Sequence, residues 1–389
     1  MILLLFFTIL LSWLFYELYW KRRGYLDGPM PLPIVGNMMP ILKTKPGYEA
    51  FRQWTKEFGD VFTFWLGQFL TFLSGSKPYL VVTSYKRLKE TFILDGDVYA
   101  DKVFKRRPSP LSRFMFNSLL RLLEGGYLEN QWKSCKFQRV RTYKIFMFTY
   151  IYRLAEFTVD FYKFFDKQIE EHRSKIDFDS EESLDYAEAY LKEQYKKEAE
   201  GDHELFSSKQ LSNMCFDLWL AGLSTTHTTM TWIIAYIMNN PDVQKKMHKE
   251  LDEVIGSDRL ISTSDKNNLP YFNAVLNESQ RCANIVPLNQ IHCVTKDTVI
   301  NGMTVKKGTG IIPQISTVLL DEKAFPDPYT FNPDRFIDEN GKLKKVDELV
   351  PFSVGKRQCL GEGLARMELF LFISNFFNRY QVKNLNYFK

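Results

Sequence analysis

The segment Phe352-Ser353-Val354-Gly355-Lys356-Arg357-Gln358-Cys359-Leu360-Gly361 constrains this chain more than any other. It places one cysteine in a glycine-bracketed loop, and the apolar run behind it predicts a helix from Leu364 to Tyr380 with Gly361 and Gly363 at its start. Gly355 permits backbone dihedrals closed to other residues, and Gly361 has no side chain to obstruct a flat ligand lying against the backbone. A helix N-terminus adds partial positive charge, which draws a thiol toward the thiolate. Phe352 is placed to shield the sulfur from water, and Arg357 offers a fork of donors for a carboxylate. These residue types suit a thiolate that holds a haem iron. A lone Cys-x-Gly is most often only a small buried hydrophobe, but here several further positions are fixed at set spacing.

Three other motifs carry the same reading. Glu278 and Arg281 lie on a predicted helix, Tyr271 to Cys282, where residues three apart share a face. That spacing alone usually means a solvated pair. Downstream, Phe331-Asn332-Pro333-Asp334-Arg335-Phe336 supplies another arginine. The run Leu211 to Asn239, ended by Pro241, is apolar on almost all sides and predicts a helix buried in a large core. Its middle, Ala221-Gly222-Leu223-Ser224-Thr225-Thr226-His227-Thr228-Thr229, either passes close to a cofactor or satisfies its hydroxyls on its own backbone. Trp132 and Lys136, four apart, mark either an amphipathic helix or a cofactor contact.

In this order the motifs resemble the cytochrome P-450 family, haem-thiolate monooxygenases of microsomal type, whose loop reads Phe-x-x-Gly-x-Arg-x-Cys-x-Gly. The resemblance implies a mainly α fold with small β-sheets and an N-terminal transmembrane helix. It implies haem b, iron protoporphyrin IX, held by Cys359 and cradled by Phe352, Gly355, Arg357 and Gly361. Glu278, Arg281 and Arg335 then form a structural cluster beneath the loop. Ala221 and Gly222 belong to the oxygen-binding stretch, with Thr225 hydrogen bonding to iron-bound oxygen. Ser224 departs from the family, which commonly has Asp or Glu there to relay protons. Trp132, Lys136 and His292 fall where relatives contact haem propionates, with lysine in place of the usual arginine.

The implied activity is insertion of one atom of dioxygen into an apolar substrate such as a lipid, steroid, fatty acid or xenobiotic. Electrons come from NADPH through a flavoprotein reductase, with cytochrome b5 as a further donor. A haem-thiolate isomerase or dehydratase acting on an oxygenated lipid, which tolerates Ser224, is the alternative enzyme; a truncated, non-catalytic haem protein is the other. By the same resemblance the interval from Lys136 to Ala221 is about half the family's, and the closing β-hairpin after Tyr380 is expected to be absent.

The N-terminus indicates where this chemistry occurs. Met1 to Trp20 is almost unbroken in hydrophobicity and long enough to span a bilayer, and Lys21-Arg22-Arg23 follows at once. No basic stretch precedes it and no small-residue cleavage site follows, so it reads as an uncleaved anchor of the endoplasmic reticulum, with the rest of the chain cytosolic. Residues 21–45 are basic and proline-rich, a stiff hinge by composition, and residues 46–389 form the catalytic domain, with short strands expected at Val61 to Leu66 and Tyr79 to Thr83. Asp177 to Asp202 reads as a solvated loop and helix. The five cysteines show no paired-ligand spacing, which fits reduced thiols. A net charge of +5 without a basic-aromatic stripe argues against a nucleic-acid partner. The patch Lys102, Lys105, Arg106 and Arg107 is either a solvated loop or a face for the membrane or an acidic redox partner.

Overall fold

The structure, a computed structural model, describes residues 2–33, 35–44, 46–67, 77–102, 159–203 and 205–383. Trp132, Lys136, Cys135, Lys105, Arg106 and Arg107 lie outside the described residues. The chain divides into two compact units, one of Met1–Arg107, Asn117–Cys135 and Thr228–Lys389, the other of Pro108–Phe116 and Lys136–His227.

The first unit begins with α1 (Ile2–Leu18), followed by α2 (Met38–Lys43), α3 (Glu49–Phe58), β1 (Val61–Leu66), β2 (Lys77–Val82), α4 (Tyr85–Leu88) and β3 (Asp101–Lys102). The second unit holds α5 (159–173) and α6 (Tyr186–Ala199). The long α7 (Ser208–Asn239) starts in the second unit and ends in the first. The first unit continues with α8 (Pro241–Val254), α9 (Pro270–Ala283), β4 (His292–Cys293), β5 (Thr298–Ile300), β6 (Met303–Val305), β7 (Gly310–Pro313), α10 (Ile315–Leu319) and α11 (Glu362–Phe377). The helix after the cysteine loop thus begins at Glu362 and ends at Phe377, short of the predicted Tyr380. Arg379 and Tyr380 both turn back to donate to the Phe376 carbonyl.

Five strands form one sheet in the order β1-β2-β7-β4-β3, and β5 pairs with β6 apart from it. Among the described strands only β2 and β7 run parallel, with Tyr79 opposite Gly310. Gly310 is required there, because a Cβ would lie 2.3 Å from the Tyr79 ring. Strand side chains alternate between faces. Val61, Leu80, Val82 and Ile311 therefore enter one core with Phe92, Tyr99 and Val354, whereas Phe62, Phe64, Tyr79, Val81 and Ile312 enter another with Phe51 and Trp54 of α3. A third core joins Ile233 and Ile237 of α7, Met247 and Leu251 of α8, Phe272 and Val275 of α9, and Phe370 and Phe377 of α11. Each such side chain, fully buried, stabilises by about 1.5–3 kcal/mol.

Leu4–Arg22 is long and apolar enough to cross a membrane, by length and composition. The proline-rich segment after it is fastened to β1. Leu32 and Gly36 bridge each other, and Gly36 bridges Leu66. Asn37, fully buried, donates from Nδ2 to the carbonyls of Pro29 (3.1 Å) and Met30 (3.0 Å), accepts at Oδ1 from the Trp65 amide (2.8 Å), and donates its own amide to Trp65 O (2.7 Å).

In the second unit, Ile169, Tyr190, Leu191 and Leu211 form a small core. The charge-rich stretch is thus less solvated than composition implied: the Glu188 carboxylate and Lys192 ammonium, 2.8 Å apart, are buried as a pair on the same helix. Pairing is what permits their burial.

Asn37→Ala deletes three bonds and leaves the Trp65 amide unpaired. The expected loss is about 1–3 kcal/mol, read as a lower urea midpoint at unchanged slope; an unchanged midpoint would show that the segment is not held through Asn37.

Candidate functional site

The cysteine loop is shaped by two residues with positive φ, Ser353 (67°) and Gly355 (78°). A Cβ on Gly355 would lie 1.9 Å from the Phe92 carbonyl oxygen, so only glycine fits. Gly355–Arg357 forms one 3-10 turn, and the Cys359 amide donates to Phe352 O at 2.9 Å, closing the loop. Asn289 Nδ2 donates to Ser353 Oγ at 2.7 Å. Lys356 pairs with Asp97, and Arg357 Nε donates to Ala100 O at 2.6 Å.

Cys359 is exposed, as are Leu360 (92%) and Leu364 (56%) beside it. A Cβ on Gly361 would find only the Cys359 sulfur, at 4.0 Å. The Phe352 ring packs under the Arg366 guanidinium, 4.9 Å from the ring centre, while Arg366 also pairs with Glu362.

The other described cysteines differ. Burial, reinforced by the Glu278 charge, pushes the Cys282 thiol up to about 12, and burial also raises Cys215. Cys293 is buried in β4.

Glu278 and Arg281 are wholly buried, and the structure brings Arg335 to them. Arg281 donates from Nε and a terminal nitrogen to both Glu278 oxygens (2.7 and 2.8 Å) and from its other terminal nitrogen to Leu319 O (2.9 Å). Arg335 Nε (3.1 Å) and the Asn332 amide (2.9 Å) share Glu278 Oε1. The remaining Arg335 nitrogens reach Pro326 O (2.9 Å) and Thr330 O (3.2 Å).

His292 is buried in β4 with Nδ1 3.0 Å from Tyr99 O and its ring edge-on to Phe92 at 5.1 Å. A carbonyl only accepts, so Nδ1 carries the proton there.

Ala221, Gly222, Ser224 and Thr225 belong to the second unit, in the middle of α7. Thr225 Oγ1 donates to Ala221 O at 2.5 Å, so the self-bonded arrangement is present. The helix is not buried all round: Leu218 (49%), Trp219 (42%) and Leu223 (57%) are exposed, as are Ala221 and Gly222. An all-apolar sequence records what a helix face tolerates, not which neighbours reach it.

Sequence reasoning missed Asn37 and Asp97. Only Asn37, next to a glycine at a turn, left a local trace.

A family profile described as cytochrome P-450 matches residues 97–386. The chain is 43% identical over 190 residues to cytochrome P-450 2E1 of Mus musculus, an alignment covering 49% of this chain and 38% of that protein. It is 29% identical over 457 residues to cytochrome P-450 2C3 of Oryctolagus cuniculus, covering 94% of this chain and 90% of the relative. With cytochrome P-450 2C8 of Homo sapiens it shares 27% over 459 residues, covering 94% and 89%. These longer alignments exceed the 389 residues of the chain, so parts of each relative have no counterpart here.

Glu278→Ala would leave two guanidinium groups facing each other without their shared acceptor. The expected destabilisation is about 3–5 kcal/mol, seen as a large drop in soluble, folded protein; a variant as stable as the parent would mean that the cluster relaxes into water at no cost.

Proposed function

Because this chain belongs to the cytochrome P-450 family, we propose that it is a membrane-anchored haem-thiolate monooxygenase that inserts one atom of dioxygen into a small apolar substrate. The observation that carries the reading is the exposed Cys359 in a loop whose Gly355 admits no side chain, beside exposed Leu360 and Leu364. A thiol with open space at Gly361 and apolar surface next to it fits haem b. Cys359 would be the protein ligand. Arg357 and His292, and by resemblance Trp132 and Lys136, would meet the propionates; Lys136 would do so as a point charge. When bound, haem supplies the redox iron at which dioxygen is activated.

The chain's own residues supply the surroundings. Phe352, Gly355 and Gly361 shape the loop, and Glu278, Arg281 and Arg335 maintain it without taking part in bond-making. Ala221 and Gly222 keep the middle of α7 slim. The Thr225 hydroxyl, donating to Ala221 O, presents its oxygen as an acceptor; rotation about χ1 turns it into a donor. Ser224 replaces a carboxylate with a hydroxyl, which does not titrate near neutral pH, so proton delivery there runs through hydroxyls and water. Exposed Leu218, Trp219 and Leu223 on the same helix suit an apolar substrate.

By this reading residues 1–20 anchor the chain in the endoplasmic reticulum, residues 21–45 join the anchor to the domain, and residues 46–389 form the cytosolic haem domain. The apolar span and the basic triplet after it support that placement. NADPH-dependent flavoprotein reductase, with cytochrome b5 as a second donor, supplies electrons.

The test is turnover of lipid and xenobiotic candidates with reductase and NADPH under oxygen-18 dioxygen. One labelled atom per product is expected, and Cys359→Ala should abolish it. Products that form without NADPH and carry no label would instead establish the isomerase or dehydratase alternative, and a haem-loaded chain without turnover the non-catalytic one.

A further inference from the structure

Four successive backbone carbonyls, Asp97 to Ala100, each accept a hydrogen bond from another element of the first unit. Thr295 Oγ1 donates to Asp97 O at 3.1 Å and the Thr295 amide to Val98 O at 2.8 Å. His292 Nδ1 donates to Tyr99 O at 3.0 Å, and Arg357 Nε to Ala100 O at 2.6 Å. The same segment meets the cysteine loop a second time through the pair Asp97–Lys356. Two consecutive carbonyls thus hold the two described side chains assigned above to haem carboxylates, although these come from points far apart in sequence.

We propose that residues 97–100 form a strap that positions His292 and Arg357 toward the haem propionates, with Thr295 as the residue that fixes the strap. The proposal rests on the haem reading above. A guanidinium is planar, so one bond at Nε sets the direction of its whole fork. The His292 ring is fixed likewise by its Nδ1 bond and by Phe92. A carbonyl or carboxylate on the far nitrogen of a ligand-binding side chain commonly orients it in this way. The strap is rigid enough for the purpose. Val98 and Tyr99 are buried in the core that contains Phe92 and Val354, and the turn before them is closed by bonds from the Val98 amide to Asp95 O and from the Tyr99 amide to Gly96 O. Thr295 grips the strap at two points, lies two residues past the end of β4, and has no assigned contact with the cofactor. It acts through the strap and is a positioning residue.

Thr295→Val in the full haem-loaded chain keeps shape and amide but removes the hydroxyl bond. Transfer of haem to excess apomyoglobin should accelerate about three- to tenfold, the scale of one hydrogen bond, and Thr295→Ser should restore the parental rate. Arg357→Lys keeps the charge but lacks Nε, so in that background the effect of Thr295→Val should shrink, as coupled residues require. An unchanged transfer rate in Thr295→Val, failure of serine to restore it, or the same factor in both backgrounds would overturn the strap while leaving the haem reading intact. A parental chain that takes up no haem would overturn both.

Discussion

The buried carboxylate of Glu278 is the constraint on which much of the unit that carries the cysteine loop depends. A charge without exposure is tolerable only when every lone pair finds a donor. Here both oxygens do, from two guanidinium groups and the Asn332 amide. The arginines in turn carry four carbonyls, of Leu319, Pro326, Asp327 and Thr330, so one carboxylate on α9 organises the end of α10 and the loop before Arg335. Arg281 also lies over the Phe325 ring, 5.2 Å from its centre. Phe325 and Phe336 form a small core with Ala274, and Leu349 packs against both that core and the one containing Val350 and Val354. Through Leu349 the ionic cluster is mechanically continuous with the entrance to the cysteine loop.

The loop is fixed from the other side by close backbone approach. Phe92 O occupies the space a side chain at 355 would need, and the residue carrying that carbonyl lies in the π-turn Lys89–Leu94 that extends α4. Wide turns of this kind redirect backbone groups and recur at functional sites. The consequence is a cysteine presented outward on a loop that is itself well held. Rigid support around an open ligand position is what a haem-thiolate site needs.

Much of this was legible in the sequence because it rests on local spacing. Glu278 and Arg281 share a helix face at any burial, the glycines of the cysteine loop announce unusual dihedrals, and β1 was readable from its aromatic and β-branched run. What escaped depended on partners distant along the chain. Nothing near Thr295 or Asp97 shows that they grip one another, and nothing in residues 99 and 100 shows that their carbonyls serve His292 and Arg357, since a backbone acceptor has no sequence signature. The Arg366 contact of Phe352 was hidden for the same reason: an aromatic residue is available to whichever neighbour arrives, and Arg366 arrives from the following helix. The exposure of α7 at Leu218, Trp219 and Leu223 was equally hidden, because apolar composition does not say which faces are covered.

The central claim is that this loop presents Cys359 as the thiolate ligand of a haem. The most direct measurement is the carbon monoxide difference spectrum of the reduced, haem-loaded full chain. Ligation by Cys359 gives the long-wavelength Soret band characteristic of a thiolate. A stable, fully loaded protein that shows only the shorter-wavelength band of histidine-ligated or thiol-ligated haem would contradict it.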